Sequence, residues 1–205
     1  MTHLRKPHLA CALLAGLAAA PAAAQPALVA PSEAPPAEAA AASPQAAERQ
    51  LDSLFSELAE PGREDWERIE GEINAIWSRS GSPSMDLLLR RGTEAIEAED
   101  YPAAVEHLSA LIDHAPDFAE GWNARATAFY LMGEYSLSIS DVEHVLSLEP
   151  RHFGALTGLG FMLEQMNEPD MALRALEAVQ ELNPNSPSIN DAVARLKRTS
   201  GDAEL

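Results

Sequence analysis

The chain has 205 residues, with 14 basic against 32 acidic side chains and a formal net charge of −18. That balance argues against nucleic-acid binding, which needs a basic stripe over phosphates, and against adhesion to an anionic membrane surface. Cys11 is the only cysteine, so the rest of the chain must hold together by packing and offers neither a thiol nucleophile nor a thiolate metal ligand.

Residues 1–24 are organised like a secretory signal. Arg5 and Lys6 stand before an apolar run from Leu9 to Ala20, and Ala22-Ala23-Ala24 offers the small residues that a signal peptidase reads. The run is shorter than the ~20 apolar residues of a membrane span. Cleavage near Gln25 and a periplasmic destination are therefore expected, with an uncleaved anchor as the alternative. Losing Arg5 and Lys6 leaves 12 basic against 32 acidic residues. Residues 25–43 are mostly Ala and Pro and cannot bury enough surface to offset their ordering entropy, so a disordered tether is expected there.

Helix signals begin at Ser43-Pro44. Leu51, Leu54, Phe55 and Leu58 form one apolar stripe, and Pro61-Gly62 stops it. A second helix is expected from Glu64-Asp65, with Trp66, Ile69, Ile73, Ile76 and Trp77 as its stripe, ending at Ser80-Gly81-Ser82-Pro83. Residues 44–84 thus read as a degenerate hairpin that caps the N-terminal end of the helical array beginning at residue 85.

From residue 85 a 34-residue unit is written three times. Pro116, Pro150 and Pro184 share that spacing, as do Gly92, Ala126 and Gly160, and likewise Leu88, Trp122 and Leu156. Ala104, Ser138 and Ala172 repeat with it, and so do Leu108, Val142 and Leu176. A fixed period of this size marks stacked units that bury their apolar faces against neighbours. Each block has a helical run, a short break, a second helical run and a proline, which gives helical hairpins over 85–118, 119–152 and 153–186. The breaks are Glu99-Asp100-Tyr101, Gly133-Glu134-Tyr135 and Asn167-Glu168-Pro169, and Pro169 is expected within the turn. The small residues suit the helix crossings. Trp122 is expected to fill the space between hairpins, so that Trp122→Ala costs about 3–5 kcal/mol. Met132, Met162, Met166 and Met171 are read as adaptable core filler. Residues 187–199 form a terminal capping helix with Ile189, Ala192, Val193 and Leu196 on one face, and 200–205 a frayed tail.

Block two reads Trp122, Ala126, Phe129, Gly133, Tyr135, Val142, Val145 and Pro150. This resembles the tetratricopeptide repeat (TPR) family, here as an exported, alphaproteobacterial-like member. The resemblance implies an all-α, right-handed solenoid of helical hairpins that binds proteins or peptides. It also implies that the first helices line a concave groove, through Leu89, Thr93 and Ile96 in block one, Asn123, Thr127 and Tyr130 in block two, and Thr157, Phe161 and Glu164 in block three. Neither lysine nor arginine stands at these positions, so the family's terminal-carboxylate clamp is not indicated. The groove suits an extended or amphipathic segment, and the acidic balance is compatible with a basic one.

Catalytic chemistry finds little support. His107, His114, His144 and His152 do not show the spacing that places two imidazoles on one metal, and they read as surface or half-buried side chains. No phosphate cradle and no Gly-x-Ser-x-Gly turn is present. The expectation is a non-catalytic periplasmic scaffold without cofactor, metal or stable membrane insertion. The alternative is a metal-handling or hydrolytic protein with a site built from scattered His and acids.

Overall fold

The computed structural model describes residues 44–203. The expected signal (1–24) and linker (25–43) lie outside the described residues, as do the last two positions of the tail. Among the described residues every regular element is helical: α1 Pro44–Leu58, α2 Trp66–Trp77, α3 Pro83–Glu97, α4 Tyr101–His114, α5 Ala119–Leu131, α6 Tyr135–Leu148, α7 Phe153–Gln165, α8 Pro169–Leu182 and α9 Pro187–Ala203. None of them is long and apolar enough to cross a membrane.

Three hairpins, α3/α4, α5/α6 and α7/α8, follow the 34-residue period. Each first helix ends in the same left-handed turn, with φ of 60° at Glu99, 78° at Gly133 and 61° at Asn167. The amide of the residue after each of these reaches back to Ala95 O, Phe129 O and Leu163 O at 2.9 Å. Those carbonyls would otherwise be orphaned at the helix end. Pro169 departs from the expectation: it is the first residue of α8 rather than part of the turn. Its missing N–H is unneeded there and its fixed φ is already helical.

The helix crossings explain the small residues. A Cβ on Gly92 would lie 2.4 Å from Leu108 Cγ, and one on Gly160 2.6 Å from Leu176 Cγ. In the middle hairpin the pair is Ala126 with Val142, both buried. Where the small partner gains a methyl, the large one loses a carbon, and the summed volume is conserved. Polar groups knit the middle hairpin to its neighbours. Arg125 donates from Nε and Nη2 to both carboxylate oxygens of Asp141, each at 2.8 Å, and from Nη1 to Ser109 Oγ of α4 at 3.1 Å. Trp122 is only half buried: its Nε1–H donates to Pro116 O at 2.8 Å, and its ring lies 3.9 Å from that of His144. It packs as a half-exposed bracket, so emptying its site costs less than a fully buried aromatic would.

The first hairpin corrects a second expectation. It does not cap the N-terminal repeat, and no residue of α1 or α2 enters the core formed by α3, α4 and α5. Leu51, Leu54, Phe55, Leu58, Ile69 and Ile73 share one core with Phe153, Leu163, Leu176 and Val179 of the third repeat and with α9. The contacts run along the three inter-repeat turns. Asn185 Oδ1 accepts from Gly62 N (2.7 Å) and Arg63 N (3.2 Å), while its Nδ2 donates to Leu58 O and Glu60 O, each at 3.0 Å. Asn183 Nδ2 donates to Glu70 Oε1 at 2.8 Å. Further along, Arg151 pairs with Asp52 at 2.8 Å and sits over the Phe55 ring, and Trp77 stacks on His152 with centroids 4.3 Å apart and planes 11° apart. Beyond Trp77 the chain passes Phe118 in the first inter-repeat turn. Helix α2 is therefore a strap across the turns at 183–185, 151–153 and 117–118, running against the repeat order. The sequence lacks a small residue at a crossing position, so α1 and α2 cannot close into a fourth repeat, and their aromatic stripe packs on the turns.

Two smaller differences remain. Helix α9 continues to Ala203, into the segment expected to fray. Met162 is buried, but Met132, Met166 and Met171 are exposed beside the intra-hairpin turns rather than filling core.

Candidate functional site: the first-helix groove

Helices α3, α5 and α7 present a furrow with two adjoining cavities. One, of about 270 Å³, lies between α5 and α7 and is lined by Asn123, Thr127, Tyr130, Thr157, Gly158 and Phe161, with Ser138 and Val142 of α6 at its floor. The other, of about 200 Å³, lies between α3 and α5 and is lined by Thr93, Ile96, Glu97, Glu120, Asn123 and Thr127. Asn123 and Thr127, one helical turn apart on α5, are common to both, which makes the furrow continuous.

Seven of the nine residues named from the sequence line this furrow: Thr93, Ile96, Asn123, Thr127, Tyr130, Thr157 and Phe161. Leu89 does not. It is buried with Leu108, Leu111, Ala124 and Ala128, because the two alanines of α5 leave a space that a leucine fills at a register where the other repeats have Asn123 and Thr157. Glu164 also stays outside both cavities. Its carboxylate pairs with Arg195 of α9, which ties the last first-helix to the capping helix.

The polar side chains of the furrow are held in place. Thr93 Oγ1 donates to Arg90 O at 2.9 Å and Thr127 Oγ1 to Asn123 O at 3.0 Å, so both threonines turn their donors to their own helices. Asn123 Nδ2 donates to the Glu120 carboxylate at 3.3 Å. Gln165 closes the far end, its Nε2 donating to Tyr130 Oη at 2.7 Å and its Oε1 accepting from Tyr135 Oη at 2.8 Å. The Tyr130 phenol keeps its own O–H to donate.

Several of these residues escaped the sequence reading. Gly154 and Gly158 give the larger cavity its depth, and a Cβ on Gly158 would meet nothing within 4 Å. Two glycines four apart inside one helix, each costing about 1 kcal/mol against alanine, are the signal that could have disclosed it. His152 departs from the surface reading: it is 1% exposed. Its Nδ1 accepts from Ala155 N at 3.2 Å, capping α7, so its proton sits on Nε2 and is donated to Glu120 Oε2 at 3.1 Å. One imidazole thus links the groove residue Glu120 to the strap residue Trp77. Among the described residues no three His, Cys, Asp or Glu side chains gather as metal ligands.

This architecture has counterparts among known proteins, although no family model matches the chain. A TPR repeat-containing protein of Rhizobium etli is 40% identical over 149 residues, spanning 72% of this chain and 73% of that one. The first TPR of Spaghetti (RPAP3), solved bound to the HSP90 peptide SRMEEVD, superposes with a TM-score of 0.56 at 18% identity, over 58% of this chain and 95% of that one. The Yersinia enterocolitica type III secretion chaperone SycD, solved with a peptide of the translocator YopD, gives 0.54 at 17% identity, over 58% and 96%. The repeat period, the three stacked hairpins and the Rhizobium relative together place this chain in the tetratricopeptide repeat family.

Proposed function

We propose that this protein is an exported, non-catalytic scaffold that holds a segment of a partner protein in its first-helix groove. The observation that carries the reading is the continuous furrow across α3, α5 and α7, apolar at its deeper end and fixed by side-chain hydrogen bonds. A rigid, partly apolar groove with few polar anchors suits an extended chain or one face of a helix. Structural neighbours solved with peptides bound support the same use of the fold. Export rests on residues 1–24, and protein recovered from the periplasm should begin at or near Gln25. An intact Met1 in membrane-bound material would instead make the segment an anchor.

Gly158→Leu tests the groove without damaging the fold. The new side chain enters open space in the larger cavity, and leucine is the better helix former by about 0.8 kcal/mol. The variant should melt at or above the wild-type temperature. It should also bind a segment selected from a random peptide library at least about tenfold more weakly, a loss of about 1.4 kcal/mol. Unchanged binding would remove the groove from consideration.

A further inference from the structure

Resting on the groove reading, we infer that the captured segment presents an apolar side chain to the larger cavity and a lysine or arginine to the smaller one. The smaller cavity is rich in acceptors and poor in donors. Glu97 and Glu120 border it, and neither cavity is lined by a lysine or arginine. Its hydroxyls on Thr93 and Thr127 donate to their own helices, and the Asn123 amide donates to Glu120. An anionic group would meet two carboxylates and no basic side chain, whereas a cation pairs with both.

Glu120 is also held ready. It accepts from Asn123 on the groove side and from the neutral His152 imidazole behind it, and neither donor cancels its charge. A carboxylate has about four acceptor sites, so capacity remains for an ammonium or guanidinium. The field of the whole chain, at −18, draws such a segment in. The cavities lie on either side of α5, about one interhelical spacing of 8–10 Å apart. A polyproline-II-like chain, with about three residues per turn and a rise of about 3.1 Å each, covers that in about three residues with both side chains on one face, so the two anchors should be spaced i, i+3.

A short Gly/Ser peptide with one leucine and, three residues on, one arginine is the probe, titrated into the full mature chain. A second peptide has glutamate in place of the arginine. The arginine peptide should bind at least about tenfold tighter, and added salt should shrink the difference. Glu97→Gln should weaken the arginine peptide severalfold and Glu97→Lys should reverse the preference. Both changes are at an exposed position, and melts should confirm the fold. Gly158→Leu is the control that separates the two claims. If it abolishes binding of both peptides while wild type holds them within about twofold of one another, the groove stands and the charge inference is overturned. If it leaves binding of the arginine peptide intact, or if neither peptide binds wild type, the groove reading and this inference fall together.

Discussion

Gly92 meets Leu108, Ala126 meets Val142 and Gly160 meets Leu176, and this exchange of volume is the most local rule in the molecule. Gly92→Ala should cost about 1–3 kcal/mol, since the new methyl overlaps a leucine that is itself fully buried. Adding Leu108→Val, which copies the middle hairpin, should recover most of that loss. A double-mutant cycle by urea unfolding should therefore give a favourable coupling of about 1 kcal/mol or more; strict additivity would mean that the crossing is slack. The left-handed turns make a second residue-scale test. Glu99 has a positive φ where the middle repeat has Gly133, so Glu99→Gly should raise stability by about 0.5–1 kcal/mol. Glu70 supplies a third. Burial pushes its carboxyl above the ordinary range, the Asn183 hydrogen bond opposes that, and Glu67 adds to it. A folded pKa raised above the unfolded one means that ionised Glu70 disfavours folding at neutral pH and that the penalty fades as pH falls through its folded value. Glu70→Gln keeps an acceptor for Asn183, so it should melt higher than wild type at pH 7, with the gap closing under acid. A lower melting temperature at pH 7 would contradict this.

At the scale of elements, the strap is what the sequence concealed. The helices of all three repeats could be read from a 34-residue period, because identical packing demands leave identical residue types. The placement of α1 and α2 could not. Their stripes of Leu51, Leu54, Phe55, Ile69 and Ile73 announce helices with one buried face but not the surface that buries it. That surface is assembled from turns far away in the chain, with Asn185 lying 123 positions beyond the Gly62 amide that it binds. The one local trace is Asn183-Pro184-Asn185, where the earlier turns have Ala115-Pro116-Asp117 and Glu149-Pro150-Arg151. Two asparagines replace residues that could not both give and take hydrogen bonds. Asn185→Ala removes four hydrogen bonds to the α1–α2 turn and should cost about 2 kcal/mol or more. Amide-exchange protection should then fall in residues 58–77 and 183–189 and hold in 85–97. Loss concentrated in 85–97 would restore the N-terminal capping role. At the other edge of the hairpins, Leu131, Met132, Leu137, Met166 and Met171 stand exposed. The sequence placed these methionines in the core because apolar character alone does not tell a helix interior from its end.

For the whole molecule, the groove was legible where each side chain keeps the surroundings of its register and illegible where a particular neighbour replaces them. Asn123, Thr127, Tyr130, Thr157 and Phe161 line the cavity between α5 and α7, where each position keeps the surroundings that the family register implies. At Leu89 and Glu164 the register is overridden, by the alanines of α5 against which the one is buried and by Arg195 of the capping helix that pairs with the other. Glu97, Glu120 and Gln165 were missed because a charge or an amide on a helix looks like any solvated residue until its cavity is seen. Whether the first-helix groove holds a partner segment can be read from amide hydrogen exchange of the full mature chain with and without a saturating bound peptide. The predicted result is added protection confined to residues 93–97, 120–130 and 154–161, with the exposed edge at 131–137 and 166–171 unchanged. Protection appearing on that edge and not along α3, α5 and α7 would contradict it.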